Sequence, residues 1–428
     1  MLNEIYHVKQ STSNYCPQEH QASHRPQHES ACNKIWAARA ELDEEEDLVR
    51  YATEDDTTPA NAFETHVGDF WNTFSTRDYM LARFALSNHL FLIGTLDGAC
   101  EALEHMQDLI RLCRRDDRGA RDKVPALMLR LDLDQECYDF VKWWETYNAD
   151  GPYDWDDMTA PHLNIHGADV FEDPNFFGRS SALNNIIAIL LLKLKLLVDI
   201  RNLKVTRKVL ALRCLPHDLW QPIELSVIRS PLSVKLQKES PQSLLEIEKK
   251  LLNQTCKIGA TLVKVNRYFM HSLFDPDDSF FKRLSFNWMG SWEKMALAMQ
   301  NSYATWWETE GALDLLYDAR ECAARDYEDG IEELAEAEEE RSGGRTVEEI
   351  KEDVGVRLIW EYLGWAVENA SYLGPWSERP SEQHTRANKE AWAQGMEEEA
   401  EFDGWLDEGL RVTKIISITL GKSRLSLW

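Results

Sequence analysis

Basic residues are in short supply in this chain: 47 Lys and Arg stand against 74 Asp and Glu in 428 residues, a formal net charge of −27. Attraction to nucleic acid needs Lys and Arg to dominate some surface, so that class of partner is not expected. A local basic patch is still compatible with the total. Cysteine is also sparse, at eight residues. Outside one N-terminal cluster it shows no paired spacing, and Cys100, Cys113, Cys137, Cys214, Cys256 and Cys322 read as small buried hydrophobes of a reducing compartment. No basic segment followed by an apolar one opens the chain, so no secretory signal is expected. The most apolar run, Ala182 to Val198, is interrupted by Lys193 and Lys195. Its uncharged part falls short of the ~20 residues a membrane span requires, so it reads as a buried helix and no membrane is expected. These absences point to a cytoplasmic or nuclear protein. There is no glycine-rich phosphate loop, no G-x-S-x-G elbow and no H-E-x-x-H pair, so nothing marks the chain as an enzyme.

What the chain does contain is a run of metal-ligating residues near its start. Residues 15–32 read YCPQEHQASHRPQHESAC and place Cys16, His20, His28 and Cys32 in the order C-x3-H-x7-H-x3-C. Thiolate and imidazole are preferred zinc ligands, and a structural zinc site takes four of them tetrahedrally. Two geometries are open. In one straight helix from residue 20 to 32, the ~1.5 Å rise per residue puts His20 and Cys32 roughly 18 Å apart, too far for one ion. Pro26 can break such a helix and fold the halves into a single Cys2His2 site, with His7 or His24 as substitute ligands. The bland alternative is that residues 20, 24, 28 and 32, spaced by four, line one face of a polar helix.

The same residues carry a family resemblance. Tyr15, Cys16, Glu19, Gln21, His28 and Cys32 match in identity and register, and the stretch resembles the second half of a MYND-type zinc finger. His20 stands where that finger carries a cysteine, and His24 and Arg25 replace its acidic and Trp positions. The resemblance implies cross-bracing, in which Cys16 and His20 share one zinc with an upstream pair and His28 and Cys32 share a second. No Cys precedes Cys16, and Val8 and Ser11 occupy the place of the nearer pair. Some MYND-bearing proteins are SET-domain methyltransferases. The SET signatures are absent here; SNHLF at Ser87 to Phe91 shares only letters.

Length and 43% hydrophobic content support two or three domains with sizeable cores. Five segments are expected: a partial finger over 1–36, an acidic helix and linker over 37–64, helical hairpins with an acidic connector over 65–180, a second helical block over 181–341, and C-terminal helices and tail over 345–428. Tyr79 to Ile93, closed by Gly94, and Leu96 to Cys113 read as one helical hairpin; KVPALMLRL and DQECYDFVKWWETY read as the next. Gly98, Ala99 and Ala102 against later Leu109 and Leu112 resemble the small-against-large packing of tetratricopeptide repeats. The block RDDRGARDKVPALMLRLDLDQECYDFVKWWE is also similar to one in fungal MYND-finger proteins of unassigned function.

Asp154, Asp156, Asp157, Asp169 and Asp173 lack the ligand spacing of a calcium loop, so residues 148–181 read as an ordered acidic connector. Ser181 is the expected cap of the apolar helix, and another long helix is expected from near Ser240, with Leu244, Leu245, Ile247, Leu251 and Leu252 at helical intervals. Helix starts are also expected at Asp278 or Ser279 and, for an amphipathic helix ending near Leu373, at Val354. Trp288, Trp292, Trp306 and Trp307 read as core rather than as a ligand cage. An acidic helix at Tyr327 to Arg341, a glycine hinge at Gly343 and Gly344, and a β-branched tail complete the reading. The fold expected is all-α, and the function expected is that of a zinc-binding interaction protein. Its helical body would take protein or peptide partners; a zinc-free helical structural protein with a finger remnant is the alternative.

Overall fold

The computed structural model describes residues 18–52, 59–149, 151–213, 215–276, 288–326, 330 and 346–370. Among them every regular element is helical and no strand forms; the only bridges are isolated ones joining Gly68 and Asp69 to Cys113. The all-α expectation is therefore met in its coarse form.

The first helix, α1 (Gln18–Arg50), is continuous through Pro26. Its buried residues Ala38, Leu42 and Val49 fall at intervals of four and seven, so they form one stripe. That stripe packs on α2 (Arg77–Leu92), and Arg39 ties α1 to Glu101 on α3 (Leu96–Leu112) at 2.6 to 2.7 Å. Between α2 and α3 the chain reverses at Gly94, whose φ of 72° is the left-handed conformation that glycine adopts without steric cost. Thr95 then caps α3 by accepting a hydrogen bond from the Gly98 amide at 3.0 Å. A Cβ at Gly98 would lie 2.8 Å from the Leu90 carbonyl, so the small residue is what lets the hairpin close.

Two more helices, α4 (Val124–Arg130) and α5 (Asp134–Thr146), follow, each packed on its predecessor. The described residues of the connector to residue 181 form no regular structure, and three of its aspartates accept backbone amides. Asp154 accepts from the Asp156 amide, Asp157 from Thr159 and Asp169 from Phe171, while Asp173 pairs with Lys257. Trp143 and Trp144 of α5 and Tyr147 just past its end then meet Tyr153, Trp155 and His162 in one aromatic cluster, which pins the connector to the helix.

At the centre runs α6 (Leu183–Leu212), with every residue from 183 to 200 buried. It touches α4, α5, α7 (Trp220–Ser226), α8 (Pro241–Val265), α10 (Trp292–Glu308), α11 (Ala312–Asp326) and α12 (Val347–Asn369). A short α9 (Tyr268–Phe274) links α8 to α10. One expectation is corrected here: the residue preceding α6 is Ala182, and Ser181 instead accepts from the Gly178 amide at 2.9 Å. Ser240 does cap α8, through the Ser243 amide. The α12 helix begins at Val347, seven residues before the expected start. Trp306 is buried against Phe269, Trp292 and Trp307 are half-buried against the same core, and Trp288 is 76% exposed. Cys16, the cap at 278–279, the acidic stretch 331–341, the glycine pair and the tail lie outside the described residues.

Candidate functional site

Helix α1 fixes the geometry of the N-terminal ligand set. His20, His28 and Cys32 all stand on one unbroken helix, so the rise of ~1.5 Å per residue separates His20 from His28 by about 12 Å and from Cys32 by about 18 Å. The hinge at Pro26 that a single four-ligand site would need is absent from α1. His28 and Cys32 are four residues, about one turn, apart along this helix. Cys32 is exposed, and Trp36, one further turn along, is 64% exposed. Among the described residues no group of three or more His, Cys, Asp or Glu side chains converges on a metal position.

A second site lies in the body. Lys193 and Lys195 sit two residues apart, about 200° around α6, so their ammonium groups reach opposite sides. Lys193 donates to Gln254 Oε1 at 2.8 Å and to the Val170 carbonyl, with Tyr138 beneath it at 5.6 Å. Burial brings its pKa down to about 7, against the pull of Asp169. Lys195 turns the other way and pairs with Asp132 and Asp134, each at 2.9 Å.

Beside Lys195 is a cavity of about 220 Å³, lined among others by Arg130, Asp199, Arg229, Glu308 and Glu310. Arg130 grips Glu308 with two bonds of 2.7 Å, both side chains almost fully buried, and Arg229 meets Glu310 at 3.2 Å. Asp199 is fully buried, which pushes its carboxyl up to about 6 even though it accepts the Arg229 and Ser230 amides at 2.9 Å. Ser230 in turn donates to Asp134 at 2.5 Å. The network closes on itself. The charged side chains lining it are already paired, and removing one partner of the buried Arg130–Glu308 pair would be strongly unfavourable. The arrangement is that of a polar junction joining α4, α6 and α10.

No family model matches this chain, and neither does any curated protein or solved structure. Its chemistry therefore rests on the residues themselves. Sequence reading singled out the N-terminal ligands and missed the junction. The available signal was the pair of lysines inside an otherwise uncharged apolar run, since each buried ammonium requires its own partners.

Proposed function

We propose that this chain is an interaction protein in which zinc held near the N-terminus organises one docking stripe and a tetratricopeptide-like succession of helices supplies the frame. The observation that supports this most is the register of α1: His28, Cys32 and the exposed Trp36 follow one another at intervals of four along one continuous helix. In this reading His28 and Cys32 serve one ion, and His20 with Cys16 serves another, the division that the MYND-like register implies. Zinc would supply rigidity, because a segment this short cannot bury enough apolar surface to hold its shape unaided. The neighbour-on-neighbour packing of α2, α3, α4 and α5 is consistent with a helical-repeat frame for protein or peptide partners.

The test is the zinc content of the purified full chain beside that of a Cys16→Ser/Cys32→Ser double variant. Zinc in the wild type and its loss in the variant are expected; no zinc in either refutes the metal. The second reading, a zinc-free helical structural protein carrying a finger remnant, would then stand. It draws support from the same helix, which reaches through Pro26 and keeps His20 and Cys32 too far apart for one four-ligand site.

A further inference from the structure

The far end of α6 carries a surface of the opposite character to the rest of the chain. Residues 201–238 contain eight Lys and Arg against two carboxylates, in a protein of net charge −27. Of the carboxylates, Glu224 is buried and taken by Arg207. Lys208, Arg213, Lys235 and Lys238 are exposed, Lys235 lying over Phe171 at 4.9 Å.

Between these cations lie side chains that no described element covers: Val209 at 46%, Leu212 at 82%, Leu215, Leu219, Leu225 and Val234. Helix α7 and the 3-10 segment Pro231–Lys238 pack on α6 and on each other, and the single turn His217–Leu219 packs on α7, so these residues belong to one end of the molecule. On α6 itself Val205, Val209 and Leu212 recur every three or four residues with Lys208 among them, while Thr206 and Leu210 face inward. That is an amphipathic stripe turned outward, the kind of face that takes an apolar segment of opposite charge.

We propose that this surface docks the acidic stretch 396–409 of the same chain. Those residues read MEEEAEFDGWLDEG, with seven carboxylates, no Lys or Arg, and Met396, Phe402, Trp405 and Leu406 as apolar contacts. The charges are complementary, and so is the mix of charge with large apolar groups. Position agrees as well. The described chain closes at Ala370, whose carbonyl accepts from Arg201 Nε at 2.9 Å and Nη2 at 2.7 Å, at the near end of the same basic run. Arg201 and Leu212 are roughly 16 Å apart along the helix. The 25 residues between 370 and 396 can span several times that distance, and tethering gives such a contact a high effective concentration. The surface is less suited to nucleic acid, for which exposed leucines have no use, or to an anionic membrane, which the net charge repels. This inference is independent of zinc.

The experiment is zero-length carbodiimide cross-linking of the dilute full chain, with the monomer band mapped by mass spectrometry. Amides joining Lys208, Lys235 or Lys238 to carboxylates within 397–408 are expected. Leu212→Ser and Trp405→Ser leave every cross-linkable group in place, and each should lower the yield at least fivefold; Leu212 is so exposed that the fold should not notice its replacement. Raising salt to 0.5 M should lower the yield similarly. Absence of these links, links unchanged in both variants, or links confined to a dimer band would overturn the proposal. So would retention of the wild type on phosphatidylserine vesicles that a Lys208→Glu/Lys238→Glu variant loses, since the surface would then belong to a membrane.

Discussion

Replacing Lys193 with Met should reverse the sign of its effect on stability as pH changes. In the folded chain this ammonium is enclosed by α6, α8 and the connector, and burial lowers its pKa from 10.5 to about 7. Between those values the unfolded chain holds a proton that the folded chain has released. Raising the pH therefore favours folding by ~1.4 kcal/mol per pH unit from this group alone, and below about 7 the whole cost, on the order of 5 kcal/mol, is present. Methionine has no such cost, but it leaves Gln254 Oε1 and the Val170 carbonyl without their donor. Each unpaired buried acceptor costs ~1–3 kcal/mol.

The two effects scale differently with pH. At pH 6 the proton cost of about 5 kcal/mol faces ~2–6 kcal/mol for the two acceptors, so the variant should roughly match the wild type or exceed it by up to about 3 kcal/mol. Near pH 9.5 only about 1.4 kcal/mol of that cost remains, and the variant should be the less stable by about 1–5 kcal/mol. Urea denaturation of both proteins at four or five pH values measures this directly. Groups that titrate alike in both cancel in the difference. Parallel stability curves across pH 7–9.5 would refute the reasoning, because they would mean that Lys193 keeps its proton inside the protein.

Three further outcomes follow from other contacts. A Cβ on Gly259 would lie 2.3 to 2.5 Å from the Trp360 ring, so Gly259→Ala should destabilise by about 1–2 kcal/mol despite its better helix propensity; Trp360→Leu in the same chain should relieve the clash in a double-mutant cycle. Arg130→Met leaves Glu308 buried and alone and should cost about 3–5 kcal/mol in chemical denaturation, much of it recovered by adding Glu308→Leu. At Glu101, desolvation is outweighed by bonds from His105 and Arg39, which hold the carboxyl at about 2 against its usual 4.5. Its contribution is present above pH 4.5 and lost as pH falls toward 2, so Glu101→Gln should narrow the gap between neutral and acid stability, as thermal melts at pH 2.5 and 6 would show.

The parts of the fold that local rules decide were legible in the residues. Ser240 marks the start of its helix, Gly94 supplies the turn, and the apolar run at Ala182 to Val198 reads as an interior helix. What was not legible depends on distant partners. Ser181 has the chemistry of a cap, yet its hydroxyl binds the Gly178 amide, a choice set by how the connector meets α5. Lys195 finds Asp132 and Asp134 more than sixty positions earlier, and Arg130 finds Glu308 later by 178. No local window contains those pairs. The aromatic cluster of the connector needed Trp143 and His162 to be brought together by a fold-back of the chain, which no local window shows.

The ligand set at the N-terminus shows why spacing alone decides so little there. An interval of four is what a zinc ligand pair needs on a helix, and it is equally what one face of any helix produces. Periodicity therefore cannot separate the two readings, and only the path of the backbone through Pro26 bears on the choice. With the helix unbroken from Gln18, His20 and Cys32 stand too far apart to serve one ion; if zinc is held in the pairs that the MYND-like register implies, His28 with Cys32 and Cys16 with His20, each ion needs its remaining donors from elsewhere. Zinc bound by this chain should then respond differently to Cys32→Ser and Cys16→Ser, each change releasing its own ion. A single shared site would lose everything with either one.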